Sequence, residues 1–202
     1  KTLSKILLDA ATEEELKNFF AKFFRLKLST KNYIDLYTPQ ILFEFKYDAP
    51  LKNVQTLAAV VAQTLYYIRR LKFGSEIRTP SRNICVVSKN FAALFPTDNF
   101  SAFIRNKTFD WDLAPSSPCK KLVAALANSE VLKSAHVFDF NDAEDENNFV
   151  ELINRSLTAQ LSLFAERKEI NENNFYPIFQ HWQKIFGAAV DNGRKASEYF
   201  IT

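Results

Sequence analysis

The chain of 202 residues has no methionine and only 3 glycines. Gly74, Gly187 and Gly193 stand alone, so the chain has no glycine-rich loop of the kind that surrounds the phosphates of ATP or a dinucleotide. Binding of such nucleotides is therefore disfavoured. Because methionine is missing even from position 1 and no signal peptide is recognisable, we expect a fragment or a trimmed chain.

Cysteine and histidine are almost as scarce. The two cysteines, Cys85 and Cys119, imply no disulfide framework, and the two histidines without paired cysteines exclude an ordinary zinc site. The chain also lacks an apolar run long enough to span a membrane. A hydrophobic content of 47% is enough for one substantial core. These features predict a soluble, cytoplasmic protein with reduced thiols.

The excess of positive charge is small. A net charge of +3 is too low to indicate a nucleic-acid partner by itself. Five basic residues nevertheless cluster at and beyond the end of a predicted helix: Arg69, Arg70, Lys72, Arg78 and Arg82. Such a cluster is either a solvated helix end or part of a surface for nucleic acid.

The segment 33–46 predicts a β-hairpin that carries two acidic residues and a lysine. Side chains alternate along a strand, so Glu44 and Lys46 lie on the same face of the second strand. The residues 38–41, with a proline in second position, predict the turn. A turn of this length places Asp35 opposite Glu44 on that face, whereas a slip of one residue would turn Asp35 to the other face.

Two carboxylates and an amine at the end of a sheet predict a site for a divalent cation. The oxygen atoms of Asp35 and Glu44 suit Mg²⁺ or Mn²⁺, and Lys46 could position the water that attacks a phosphodiester. The alternative is a surface hairpin with a Glu/Lys pair on its solvated face.

The region after the hairpin predicts helices and strands in alternation. Residues Val54 to Leu71 have a strong helical pattern, on which Gln63 and Tyr67 lie one turn apart. Further predicted elements are a strand at Asn83–Ser88, short helical or irregular pieces at Phe91–Phe95 and Asn99–Arg105 broken by Pro96, a helix at Lys120–Asn128 and a strand at Ala135–Phe140. This order predicts an α/β fold with a central mixed β-sheet flanked by helices.

The first strong helix begins at Thr12, a favourable N-cap residue, and Glu15 completes a capping box. Three glutamates occupy its first turn. Helical phasing places Glu13 nearest the apolar stripe of this helix and Glu14 on the solvated side. Glu13 is therefore the candidate for a further acidic group at the site. The alternative is that all three glutamates only stabilise the positive N-terminus of the helix.

The acidic first helix, Asp35, Glu44-x-Lys46 and Gln63-x-x-x-Tyr67 occur in the order found in one known superfamily. In these features the chain resembles the PD-(D/E)xK nucleases, in particular the branch with a Q-x-x-x-Y motif on the helix after the E-x-K strand. The resemblance implies a restriction-endonuclease-like sheet. It also implies that Asp35, Glu44 and the backbone carbonyl of Phe45 are metal ligands, and that Lys46 is the catalytic lysine.

The same resemblance implies that Gln63 and Tyr67 support the site or touch the DNA backbone. The alternative for this pair is the edge of an amphipathic helix that only packs on the core. Composition shifts at the acidic run 141–146, and residues beyond it follow helical stripes. We therefore expect a nuclease-like domain at residues 1–142 and a helical C-terminal segment at residues 143–202, which resembles the connector after the nuclease domain of large restriction-modification enzymes.

These expectations combine into a Mg²⁺-dependent deoxyribonuclease that acts on double-stranded DNA. The chain would be the N-terminal endonuclease domain of a type IIG-like or type I-like restriction-modification enzyme, with methyltransferase and specificity domains downstream. Two alternatives stay open: a repair exonuclease domain that works with a helicase, and a module with the nuclease fold that no longer cuts and only holds DNA or a protein partner.

Overall fold

The computed structural model describes residues 1–26, 36–73 and 80–157. The strands are β1 (Leu36–Tyr37), β2 (Ile41–Phe45), β3 (Asn83–Val87), β4 (Phe91–Pro96) and β5 (His136–Asp139). The helices are α1 (Leu3–Leu8), α2 (Glu13–Phe23), α3 (Val54–Phe73), α4 (Ser101–Arg105), α5 (Lys120–Ala127), α6 (Glu130–Lys133) and α7 (residues 143–157). A 3₁₀ turn at Thr97–Phe100 leads into α4.

The strands form one mixed sheet in the order β1-β2-β3-β4-β5. Strands β2 and β3 are parallel, and the other neighbouring pairs are antiparallel. The connection between the two parallel strands contains α3, because a parallel pair needs a long crossover that a tight turn cannot provide. The predicted α/β class, with a central mixed sheet flanked by helices, is confirmed.

Helices cover both faces of the sheet. On one face, α3 and α5 pack against alternate residues of the strands, among them Leu42, Ile84 and Val86. On the other face, Phe43 and Phe45 pack against α2 and α7. The Phe20 ring of α2 lies 5.1 Å from each of those two rings, measured between centroids. This contact holds α2 against β2.

Strand β4 corrects one sequence-based expectation. Residues Phe91–Phe95 were predicted as a helical or irregular piece, and they form a strand whose first five residues are buried. A central strand covered on both faces presents a continuous apolar run, which lacks the alternation that identifies a half-exposed strand. Pro96 stands at the last position of the strand, where it ends β4. The helical piece predicted near Arg105 is present as α4.

Residues Lys1–Leu157 form one compact unit, and this unit includes α7. Helix α7 follows Asp142, whose side chain accepts hydrogen bonds from the amides of Glu144 and Asp145. Its residues Phe149 and Ile153 are fully buried. The first part of the predicted C-terminal segment therefore packs into the unit that carries the sheet. The rest of that segment, from residue 158 on, lies outside the described residues.

None of the helices in the described ranges is both long enough and apolar enough to cross a membrane.

Candidate active site

Glu44 occupies the centre of the candidate site. Strand β2 lies between β1 and β3, and helices cover both faces of the sheet, so all five of its residues are buried. Alternation places Glu44 on the same face as Leu42, which is the face covered by α3. A carboxylate that is only 1% exposed is unusual in such a position. Burial of a charge is costly unless cations or hydrogen bonds compensate it.

Lys46 supplies a cation to this carboxylate. Its Nζ donates a hydrogen bond to Glu44 Oε1 at 2.8 Å. Glu13 Oε1, from the first turn of α2, lies 3.6 Å from the same Nζ. Glu44 and Lys46 are neighbours, as predicted. The Lys46 ammonium lies between a carboxylate of β2 and a carboxylate of α2.

Helix phasing and capping explain why Glu13 reaches the site. The Thr12 side chain accepts a hydrogen bond from the Glu15 amide at 3.1 Å, as expected for an N-cap. The Glu15 carboxylate accepts one from the Ala11 amide at 2.7 Å, which completes a reciprocal cap. Glu13 is half-buried, while Glu14 and Glu15 are exposed. Helical phasing predicted that Glu13 would be the most buried of the three glutamates.

The pairing of β1 with β2 has the predicted register. Leu36 pairs with Phe43, and the turn closes where the Thr38 amide donates to the Ile41 carbonyl at 2.9 Å. The Thr38 hydroxyl accepts from the Ile41 amide at 2.9 Å. Asp35, the predicted partner of Glu44 across this pair, lies outside the described residues.

The backbone at the end of β2 offers a further oxygen atom. The Lys46 amide donates to the Val87 carbonyl at 2.9 Å, so the backbone of Lys46 faces β3. Backbone groups of successive residues point to opposite edges of a strand. The Phe45 carbonyl is therefore directed toward the β1 edge. This is the edge from which the sequence predicts the approach of Asp35.

Gln63 and Tyr67 lie on α3, the helix that covers the Glu44 face of the sheet. The Gln63 side chain donates to the Tyr67 hydroxyl at 3.2 Å. Tyr67 is 6% exposed and belongs to the core cluster that includes Leu42. The start of α3 is capped by Asn53, whose side chain accepts from the amides of Gln55 and Thr56. The two predicted support residues are thus joined to each other, and Tyr67 is part of the core while Gln63 is half-buried.

One feature of this end of the sheet escaped the sequence analysis. The turn between β3 and β4 places Lys89 beside Tyr47, with Lys89 Nζ 4.0 Å from the centre of the Tyr47 ring. A signal for this turn existed, since two apolar runs flank Ser88, Lys89 and Asn90, and such spacing is typical of a hairpin. The signal was lost because β4 was not recognised as a strand.

A second ion pair lies at the same end of the sheet, near the start of α3. Lys52 Nζ lies 2.6 Å from an oxygen of Asp139, the last residue of β5. The hydrogen bond from Lys52 lowers the pKa of Asp139 below its ordinary value, and bonds from Asn141 act in the same direction. This pair is more exposed than the pair of Glu44 and Lys46.

The basic cluster predicted around the end of α3 has mixed roles. Arg69 donates to the Ile104 carbonyl, and its guanidinium lies 4.8 Å from the centre of the Trp111 ring, so it packs the molecule. Lys72 and Arg82 line a cavity of about 480 Å³ at the opposite end of the sheet from Glu44. Arg78 lies outside the described residues.

The Cys85 thiol is not a candidate for chemistry at the site. Cys85 lies in the middle of β3 and is fully buried, and this burial raises the pKa of its thiol. A protonated, inaccessible thiol is a poor nucleophile and a poor metal ligand. The oxygen atoms at the end of β2 are the relevant donors.

The described residues at the end of β2 include two of the predicted metal ligands. The Glu44 carboxylate and the Phe45 carbonyl are oxygen donors, the type that Mg²⁺ and Mn²⁺ prefer. Within residues 1–26, 36–73 and 80–157, no three side chains of the His, Cys, Asp and Glu types are grouped closely enough to hold a metal ion. The predicted set of metal ligands also includes Asp35, which lies outside the described residues.

A comparison of the chain with known protein families, curated proteins and solved structures found no match.

Proposed function

We propose that this chain is the Mg²⁺-dependent DNA endonuclease domain of a restriction-modification protein. The observation that supports the proposal most directly is the buried Glu44 carboxylate with the Lys46 ammonium 2.8 Å away at the end of β2. A buried charge pair contributes little net stability compared with apolar side chains of the same size. Its presence in an otherwise apolar strand therefore favours a chemical role.

In this proposal Asp35, Glu44 and the Phe45 carbonyl hold the metal ion. A bound Mg²⁺ would neutralise charge on the phosphate and make a water molecule more acidic. Lys46 would orient the attacking water for in-line displacement at phosphorus. Its ammonium lies between the Glu44 and Glu13 carboxylates, which reduces the freedom of the long side chain and holds the donor in place.

The other predicted residues would support the pair of Glu44 and Lys46. Glu13 would fix Lys46, since its carboxylate lies 3.6 Å from the Lys46 ammonium. Gln63 and Tyr67 would stiffen α3 where it covers the Glu44 face, through the hydrogen bond between them. Double-stranded DNA would bind mainly through its phosphates, and methyltransferase and specificity domains downstream in the same protein would select the sequence.

Cleavage of supercoiled plasmid by the full-length protein with Mg²⁺ tests the proposal. The informative variants are Glu44→Gln and Lys46→Ala, each of which removes one charge from the site. We expect both to lower the cleavage rate by at least about 100-fold, the order of magnitude for loss of a group that stabilises a transition state, while DNA binding is largely retained. Because a closed circle has no ends, cutting it also separates an endonuclease from an exonuclease.

Two matched controls test whether the effect is specific. Glu14→Gln removes an exposed carboxylate from the first turn of α2, and Lys52→Ala removes an exposed lysine from the same end of the sheet. Both should cut at the wild-type rate. If Glu44→Gln and Lys46→Ala also cut at the wild-type rate, the endonuclease assignment is wrong. Biological activity without any cleavage would favour a module that only binds.

A further inference from the structure

Three lysines at the same end of the sheet as Glu44 differ in the groups that balance their positive charge. Lys46 is paired with Glu44, and Lys52 is paired with Asp139. Both ammonium groups thus lie within 3 Å of a carboxylate oxygen: 2.8 Å for Lys46 and 2.6 Å for Lys52. Such pairs present little net charge to a ligand. A third lysine at this end of the sheet, Lys89, has a different partner.

Lys89 lies in the turn between β3 and β4. The turn is closed where the Ser88 amide donates to the Phe91 carbonyl at 2.8 Å. The residue before it, Val87, accepts the hydrogen bond from the Lys46 amide. The backbone of the turn is therefore attached to the backbone of the proposed catalytic lysine. Lys89 and Lys46 emerge at the same end of two adjacent parallel strands.

The aromatic ring of Tyr47 holds the Lys89 ammonium. Lys89 Nζ lies 4.0 Å from the ring centre, within the range in which the negative face of the ring attracts a cation. Both side chains are half-buried. No carboxylate of the described residues forms an ion pair with Lys89. A ring fixes the position of a cation without neutralising its charge, so the positive charge of Lys89 stays available to an anion.

We propose that Lys89, positioned by Tyr47, binds a phosphate group of the DNA strand beside the cleavage site. The inference rests on the proposed function, which supplies DNA as the ligand. Lys89 contacts no reacting atom in this arrangement. It sets the position of the strand relative to Lys46, because the two lysines project from adjacent strands. Tyr47 is a positioning residue that acts through Lys89.

The salt dependence of DNA binding provides the test. Affinity of the full-length protein for a duplex oligonucleotide is measured in EDTA, which prevents cleavage, at a series of salt concentrations. A protein that loses one phosphate contact releases fewer counterions, so in Lys89→Ala the negative slope of log K against log[salt] should become shallower by about 0.9. Affinity at low salt should fall several-fold. Lys89→Arg should keep both the slope and the affinity, because it keeps the charge.

Tyr47 variants test how Lys89 is held. Tyr47→Phe keeps the ring and should bind DNA as the wild type does, whereas Tyr47→Leu should weaken binding because the ammonium is no longer fixed. Lys107→Ala is the matched control, since Lys107 is exposed and lies beyond α4, which follows the opposite end of β4. Its slope should equal that of the wild type. Lys89→Gln serves as a second neutral variant, and thermal unfolding confirms that each variant is folded.

The outcomes separate this inference from the proposed function. An unchanged slope for folded Lys89→Ala and Lys89→Gln overturns the role of Lys89, and it does so even if Glu44→Gln abolishes cleavage. An equally shallower slope in Lys107→Ala also overturns it, because the effect would then be one of general charge. A shallower slope in Lys89→Ala and Lys89→Gln, but not in Lys107→Ala, supports it. Cleavage assays with Glu44 and Lys46 variants decide the proposed function independently.

Discussion

Lys46 Nζ lies 2.8 Å from Glu44 Oε1, and the carboxylate that it contacts is almost completely removed from solvent. The lysine side chain keeps about a fifth of its surface exposed, at 21%. The pair therefore has a buried acidic member and a lysine that is still accessible from solvent. A substrate or a water molecule could approach the lysine without displacing the carboxylate.

The free energies of unfolding of Glu44→Gln, Lys46→Met and the double variant should not be additive. Lys46→Met leaves a buried carboxylate with less positive charge beside it, which is costly, and adding Glu44→Gln removes that cost. We expect a coupling energy of about 1–3 kcal/mol in a double-mutant cycle measured by urea denaturation. Additive effects would show that the two side chains do not depend on each other.

Divalent ions should stabilise the wild-type protein. An ion that binds only the folded state raises the free energy of unfolding by about 1.4 kcal/mol when its free concentration is ten times its Kd. We expect Mg²⁺ or Mn²⁺ to raise the Tm of the wild type and of Glu14→Gln, and to leave Glu44→Gln unchanged. Scanning calorimetry with and without EDTA measures this. An equal rise in Glu44→Gln would place the ion elsewhere.

The cap of α2 should contribute measurably to stability. Thr12→Ala removes the side chain that accepts from the Glu15 amide, and we expect a loss of about 1 kcal/mol in the free energy of unfolding. Thr2→Ala is the matched control, because Thr2 stands at the N-cap of α1 without a side-chain cap bond. Chemical denaturation should show almost no change for Thr2→Ala. Equal losses would argue against a specific role of the cap.

Helix α7 should be required for the fold of the unit that carries the site. The Phe149 ring lies 5.2 Å from the Phe138 ring and 5.1 Å from the Phe140 ring, and it also contacts Phe20. Ending the chain after Leu157 keeps these contacts, whereas ending it after Asp142 exposes them to water. We expect cooperative thermal unfolding for the longer piece and its loss for the shorter one. Cooperative unfolding of both would show that α7 is dispensable.

The ion pair between Lys52 and Asp139 should stabilise the protein above pH 4 and lose this effect in acid. The hydrogen bond from Lys52 lowers the pKa of folded Asp139, while the unfolded chain has the ordinary value of about 3.9. The stabilisation is present above that value and disappears as the pH falls through the lower folded pKa. The difference in stability between the wild type and Asp139→Asn should therefore shrink between neutral pH and pH 3.

Urea denaturation at several pH values measures that difference. The matched control is Asp48→Asn, which removes an exposed carboxylate near the same end of the sheet. The difference between the wild type and Asp48→Asn should vary less with pH. A difference for Asp139→Asn that stays constant down to pH 3 would contradict the assignment of its pKa.

Local periodicity was sufficient to predict much of the architecture. The helical stripe of α3 and the alternation in β2 depend on residues close together in the chain, so the sequence contains their full signal. Strand β4 was missed because its pattern depends on what covers it. Both of its faces are buried by helices from other parts of the chain, and nothing within residues 91–96 indicates this.

The candidate site likewise has features that the sequence predicts and features that only the tertiary structure shows. The sequence by itself determined that Glu44 and Lys46 share a face, because alternation along a strand holds in any fold, and it determined that Glu13 is the glutamate nearest the apolar stripe of α2. Only the tertiary structure decided that Glu13 approaches Lys46 and that Lys89 lies over Tyr47. The first contact depends on the packing of α2 against Phe43 and Phe45, and the second depends on the parallel pairing of β2 with β3. Both kinds of packing join residues that are far apart in the chain.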